Sequence, residues 1–158
     1  MTKVLVTGAG GQLGRELCRQ LKQAGYEVIA LTKSMMNIAD HRSVRHSFRH
    51  YRPDIVVNTA AFTSVDKCET ELEKAYLING IGAYYTALEA EGIGAAYFHI
   101  STDYVFNGKG TSPYKEDDTP EPSTIYGKSK KTWGGADSIS RQGQHHYQDL
   151  LGIRKRRP

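Results

Sequence analysis

Lys3-Val4-Leu5-Val6-Thr7-Gly8-Ala9-Gly10-Gly11-Gln12-Leu13-Gly14 is the stretch that decides the fold. Lys3 to Thr7 is a short β-branched run, and a glycine-rich turn follows it directly. Beyond the turn, Leu13, Leu17, Leu21 and Ala24 recur at helical spacing until Gly25 stops them. Val28 to Leu31 then reads as a second strand. Strand, glycine turn, helix, strand is the setting that gives a glycine fingerprint meaning. Glycines let backbone amides approach a pyrophosphate, and the helix N-terminus adds favourable partial charge. Gly8, Gly10, Gly11, Gln12, Leu13 and Gly14 are therefore the expected cradle of a dinucleotide.

Where an acidic residue would bind an NAD ribose, at the end of the second strand, the chain reads Thr32-Lys33-Ser34. A lysine flanked by hydroxyls accommodates a 2′-phosphate instead, so the expected cofactor is NADPH, with NADH as the alternative. His41 to Tyr51 reads as a polar helix, and its His46 and His50, four apart with no third ligand, read as a solvated face and not as a metal site. Ile55-Val56-Val57-Asn58 is the third strand, and Thr59-Ala60-Ala61-Phe62 after it leaves room for a ligand at the strand's C-terminal end. Glu69 to Glu91 is expected to form one long helix with Asn79 amid apolar positions. Tyr97 to Ile100 is the fourth strand. The alternation predicts an α/β fold of Rossmann type, a doubly wound parallel sheet with right-handed crossovers.

The fourth strand delivers Ser101-Thr102-Asp103-Tyr104-Val105-Phe106 to the same edge, and a loop then leads to Tyr126-Gly127-Lys128-Ser129-Lys130. Tyr126 and Lys130 are four apart and share a helix face. A phenol holds its proton to about pH 10, and a nearby ammonium eases its transfer. With the Thr102 hydroxyl on the same oxygen, the set suits proton donation to a carbonyl beside a hydride donor. Alone the pair means little, because a chain with 10 Tyr and 11 Lys meets that spacing by chance. Its weight comes from all the pieces falling on one rim.

The length of 158 residues suits one domain. No apolar run spans a membrane, the chain opens straight into a strand with no signal-peptide layout, and Cys18 and Cys68 read as free thiols; the expected location is cytoplasmic. The net charge of +4 invites a nucleic-acid reading. However, residues 1–131 carry 16 basic and 15 acidic side chains, so the basic character belongs to the last 27 residues. Neither nucleic acid nor membrane is an expected partner.

Taken together, the motifs resemble the dTDP-4-dehydrorhamnose reductase family, whose close relatives serve spore-coat polysaccharide synthesis. The resemblance covers roughly residues 3–131. It rests on Thr7-Gly8-x-x-Gly11-x-x-Gly14, Asn58-Thr59-Ala60-Ala61-Phe62-Thr63-x-Val65-Asp66-Lys67-x-Glu69, Ile78-Asn79, Ser101-Thr102-Asp103-Tyr104-Val105-Phe106-x-Gly108 and Tyr126-Gly127-x-Ser129-Lys130. The second and fourth of these are the specific ones. The resemblance implies reduction of the 4-keto group of a dTDP-sugar, with Tyr126 as proton donor, Thr102 on the same oxygen, and Lys130 holding the nicotinamide ribose and acidifying Tyr126. It also implies that Ala60, Ala61 and Phe62 line the cofactor, that Ile38 and Asn79 contribute to its site, and that Val65 and Asp103 face the sugar; a homodimer is compatible. Two departures stand out: Asn37 replaces a usual acidic residue near the adenine, and Phe62 a usual tyrosine. Sugar 4,6-dehydratases would need a glutamate where Tyr104 stands. A non-catalytic NADP-binding module is the other alternative.

After Lys131 the character changes. Thr132-Trp133-Gly134-Gly135-Ala136-Asp137 should break the Tyr126 helix, since paired glycines cost it about 2 kcal/mol. The rest is polar, without periodicity, and the family's C-terminal substrate domain is missing. The expected organisation is an incomplete Rossmann domain over 1–131 and a frameshift-derived, disordered tail over 132–158. Codons permissible for Gln148 to Arg154, read one nucleotide over, give Arg-Thr-Ser-Trp-Val-Tyr-Gly, the family's next motif.

Overall fold

The computed structural model describes residues 1–115 and 117–134. Four parallel strands, β1 (Lys3–Thr7), β2 (Glu27–Leu31), β3 (Ile55–Asn58) and β4 (Ala96–His99), lie in the order β2-β1-β3-β4. All pairings are parallel, with Thr7 opposite both Leu31 and Asn58, and Asn58 opposite His99. This is the doubly wound α/β arrangement the alternation predicts. The order reverses between β1 and β3, and open sheets of this kind bind ligands beyond the strand ends at such a point.

Alternate strand residues feed two cores, as the period of two requires. Leu5, Leu31 and Val56 pack against helices α2 (His41–Tyr51) and α5 (Ala83–Gly92) through Val44, Phe48, Ala83, Ala87 and Ala90. Val4 and Val6 pack on the other face against Cys18 and Leu17 of helix α1 (Gln12–Gln23). Leu13 takes no part in that core; it is half-exposed over the strand ends, as a ligand-facing residue at a helix start should be. Both cysteines are buried free thiols. His46 and His50 are exposed and their rings stack at 6.3 Å.

The single helix expected over Glu69 to Glu91 is instead broken into pieces. A short helix α3 (Val65–Thr70) ends at Glu71, whose ψ of 54° is not helical. Helix α4 (Leu72–Tyr76) then runs through a π-helical turn (Leu77–Gly82) into α5. The break lets α3 aim Val65 and Cys68 at Tyr126. The wide turn carries Asn79 inward, where it is fully buried. Gly82 permits this path, since a Cβ there would lie 3.0 Å from Ile38 Cγ1.

After β4 the chain makes a 3-10 turn (Asp103–Val105) and a long loop, then helix α6 (Ile125–Gly134). The Glu69 carboxylate accepts the Ile125 N–H at 2.8 Å, capping the positive end of α6. The helix runs through Thr132 to Gly134; the break expected from the paired glycines and the tail that follows lie outside the described residues. Among the described residues, no helix is long and apolar enough to cross a membrane.

Candidate active site

A cleft of about 870 Å³ opens along the C-terminal rim at the reversal point. The glycine turn supplies one wall with Gly8, Gly10, Gly11, Gln12, Leu13 and Gly14. The close packing here is compulsory. Gly8 has φ +63°, and a Cβ on it would meet Ala60 Cα at 2.7 Å, while one on Gly14 would collide with the Gly8 carbonyl. Arg15 donates to the Gly10 carbonyl at 2.7 Å and pins the turn.

The far end of the cleft is lined by Lys33, Asn37 and Ile38. Thr32 and Ser34 hydroxyls bond each other at 2.9 Å beside Lys33. The Asn37 carbonyl oxygen accepts the Ala39 N–H at 3.2 Å, so its side chain shapes its own turn at the cleft's edge. Among the described residues, no cluster of His, Cys, Asp and Glu of metal-binding size occurs.

Ala60, Ala61 and Phe62 form the floor and reach Tyr126 and Lys130. Lys74 lies 4.4 Å above the Phe62 ring and pairs with Glu71 at 2.6 Å. Thr102 and Asp103 sit beside Tyr126 without lining the cleft itself. The Thr102 hydroxyl donates to Asp103 Oδ1 at 3.0 Å and accepts the Tyr104 N–H at 3.2 Å. Gly127 brings these parts together, because a Cβ on it would occupy the place of the Tyr104 carbonyl. Tyr104 packs edge-on to the Tyr126 ring at 5.6 Å. Val65 packs with Cys68 and Tyr126, behind the phenol.

Burial pushes the Tyr126 phenol up, the Thr102 hydroxyl draws it back, and Cys68, Asp103 and Tyr104 push it further up. Lys130 is 2% exposed, and burial lowers it to about 8. Its Nζ donates to the Ile100 carbonyl at 2.5 Å and lies 3.1 Å from His99 Nε2. The lysine is thus turned to β4, and the phenol is raised, not acidified, in this arrangement.

Asn79 does not line the cleft. Its Oδ1 accepts the Phe62 N–H at 2.8 Å, and its Nδ2 donates to the Phe62 carbonyl at 3.1 Å and Ser129 Oγ at 3.0 Å. Ser129 in turn donates to the Tyr126 carbonyl at 2.8 Å. One buried amide therefore ties the cleft floor to the tyrosine helix. Sequence reasoning missed Asn58, His99, Thr86 and Tyr97, which form a buried polar cluster under the floor. The available signal was polar residues ending apolar strands, Asn58 and His99 in register.

The family described as RmlD substrate binding domain matches residues 1–147. The chain belongs to this family. Within the RmlD family, it is 84% identical over 131 residues to the spore coat polysaccharide biosynthesis protein SpsK of Bacillus subtilis, covering 83% of this chain and 46% of that one. It is 44% identical to a dTDP-4-dehydrorhamnose reductase of Aggregatibacter actinomycetemcomitans, covering 82% and 45%. The crystal structure of the dTDP-4-dehydrorhamnose reductase of Bacillus anthracis, in complex with NADP, superposes with TM-score 0.82 at 38% identity, covering 85% of this chain and 48% of that one. The chain spans about half the length of the relatives it matches.

Proposed function

We propose that this chain is the cofactor-binding and proton-donating half of an NADPH-dependent dTDP-4-dehydrorhamnose reductase. The reaction reduces the 4-keto group of dTDP-6-deoxy-L-lyxo-4-hexulose to give dTDP-L-rhamnose, a precursor of surface or spore-coat polysaccharide. One observation carries the reading: Tyr126 and Lys130 line the same cleft as the glycine turn, with Thr102 beside the phenol. The fit to a dinucleotide rests on the cradle at Gly8 and Gly14, where any side chain would block a close approach. Lys33 at the far end supplies a cation for a 2′-phosphate, and a relative of the same fold is known with NADP.

Ketone reduction puts a hydride on carbon and a proton on oxygen. When bound, NADPH supplies the hydride. Tyr126 gives the proton, which its raised pKa keeps in place at neutral pH, and the phenol is reprotonated from solvent. Thr102 holds the keto oxygen, Lys130 in its charged form favours the phenolate left behind, and Ala60, Ala61 and Phe62 wall off water. Asp103, beside Tyr126, is assigned to the sugar, and Val65 supports the phenol from behind. The grip on the nucleotide sugar is assigned to the half of the relatives that this chain does not span, so the 158-residue chain alone should bind cofactor without turning over sugar.

The test joins residues 1–131 to the remaining half of the B. subtilis relative and follows NADPH absorbance with the dTDP-keto sugar. Turnover should appear, and Tyr126→Phe should lower it by a factor of ~10²–10⁴ with NADPH affinity unchanged. Near-normal turnover in Tyr126→Phe would overturn the proton-donor assignment. For residues 132–158 the proposal is a shifted reading frame, and early stop codons in the neighbouring frame of the coding DNA would contradict it.

A further inference from the structure

His99 has no part in the chemistry above, yet it is 3% exposed and touches Lys130. Its Nδ1 lies 3.1 Å from Asn58 Nδ2 and its Nε2 3.1 Å from Lys130 Nζ. The Asn58 amide has one permitted orientation. Its Oδ1 accepts the Ala60 N–H at 3.2 Å and the Thr7 hydroxyl at 2.5 Å. A backbone N–H can only donate, so Oδ1 is fixed there and Nδ2 faces the other way. On that side, the Thr86 hydroxyl donates to the Ala83 carbonyl at 2.8 Å, and the Tyr97 hydroxyl has both that carbonyl at 3.2 Å and Thr86 Oγ1 at 2.7 Å within reach of its proton. Asn58 Nδ2 meets the Thr86 and Tyr97 oxygens at 3.3 and 3.0 Å and His99 Nδ1 at 3.1 Å; an amide nitrogen only donates, so Nδ1 accepts from it. A neutral His99 must therefore carry its proton on Nε2, aimed at Lys130. An amine accepts that proton; an ammonium has three donors and no lone pair.

We infer that His99 is a positioning residue for Lys130: with its tautomer set by Asn58, it holds the lysine only as a neutral amine, and charging the lysine breaks that contact and turns the ammonium to the cleft. Burial acts in the same sense, lowering Lys130 to about 8 and His99 well below its ordinary value. Of the elements packed on α6, β4 brings His99, α3 brings Cys68 and, at the start of α6, Glu69, and α4 brings Lys74 to the shared cleft. The 3-10 turn brings Asp103 and Tyr104 beside Tyr126, which lies one turn before Lys130, and the π turn brings no titratable group. An anionic cofactor favours the ammonium, so its binding takes up a proton; this last step rests on reading the cleft as an NADPH site.

Nitrogen and carbon NMR of the intact chain without cofactor tests the positioning role directly. His99 should show the Nε2–H tautomer on both sides of the Lys130 titration, and Lys130 should titrate near 8. His99→Gln, whose amide can turn its oxygen to the ammonium, should raise the Lys130 titration by about one unit or more. An Nδ1–H tautomer in the wild type, or a Lys130 titration unmoved in a folded His99→Gln, overturns the inference. NADPH titrations supply the second arm. Wild-type affinity should fall by up to about tenfold per pH unit above the lysine's titration, with the fall displaced to higher pH in His99→Gln. Affinity flat across that range overturns the coupling. The expected tautomer with no NADPH binding at all would leave His99's role standing and refute the reading of the cleft.

Discussion

On the glycine-turn wall of the cleft, backbone rests on backbone: a Cβ on Gly8 would lie 2.7 Å from both Ala60 N and Ala60 Cα. The Tyr126 wall is held by side chains instead, with Asn79 making three hydrogen bonds and Lys130 reaching His99 at the end of β4 and the Ile100 carbonyl just beyond it. The first wall is rigid because atoms are missing, which lets backbone donors come close to an anion. The second is rigid because buried polar groups have one mutually consistent arrangement. Such a wall can also change state, because one of its members titrates near neutrality.

Gly8→Ala is the largest predicted break of this contrast. It combines a left-handed φ with a backbone collision, so it should cost about 3 kcal/mol or more and abolish NADPH binding. Urea unfolding with a cofactor titration measures both, and near-wild-type values would mean the wall is not backbone-packed. Asn79→Ala comes next. It strands the Phe62 N–H and takes one partner each from the Phe62 carbonyl and the Ser129 hydroxyl, at a cost of about 2–3 kcal/mol. Hydrogen exchange should quicken at Phe62 and over Ile125–Lys130 and not over the glycine turn; uniform quickening would show that the two walls are one unit.

Lys130→Met should have a smaller effect, in the stabilising direction. Because the folded lysine titrates below its ordinary 10.5, at about 8, the fold prefers it neutral. Its favourable contribution is complete only above the unfolded value and is lost as pH falls through the folded one. Below that, the charged lysine is a burden of up to about 3 kcal/mol. The substitution should therefore raise the melting temperature at neutral pH and lose that gain as pH rises toward 10.5. A gain that is the same at every pH would contradict the burial argument.

The sheet, the rim and the glycine wall were legible because each follows from a local rule: strand runs, a helix with one apolar stripe, and glycines at fixed spacing. β1, α2 and β3 lie where the sequence put them. The long helix was misread at Glu71, where no glycine or proline marks the break, and again at the π turn, whose Gly80 and Gly82 were not read as one. Both are imposed by what Val65, Cys68 and Asn79 must reach. Asn79 itself was expected at the cofactor and lies buried behind Phe62 of the cleft floor. The polar cluster of Asn58, Thr86, Tyr97 and His99 left only one trace in the sequence, polar residues ending apolar strands, for a related reason. Its members are far apart in sequence, and only the parallel register sets Asn58 beside His99.

Lys33→Ala carries the smallest predicted effect and tests the cofactor assignment most directly. Titrating the intact chain with NADPH and NADH, followed by nicotinamide fluorescence, should show saturable binding of both, with NADPH tighter. The substitution should remove about 1 kcal/mol from NADPH alone. Equal affinities in the wild type and in Lys33→Ala would contradict the 2′-phosphate site, and no saturable binding of either cofactor would contradict the account of the cleft as a whole.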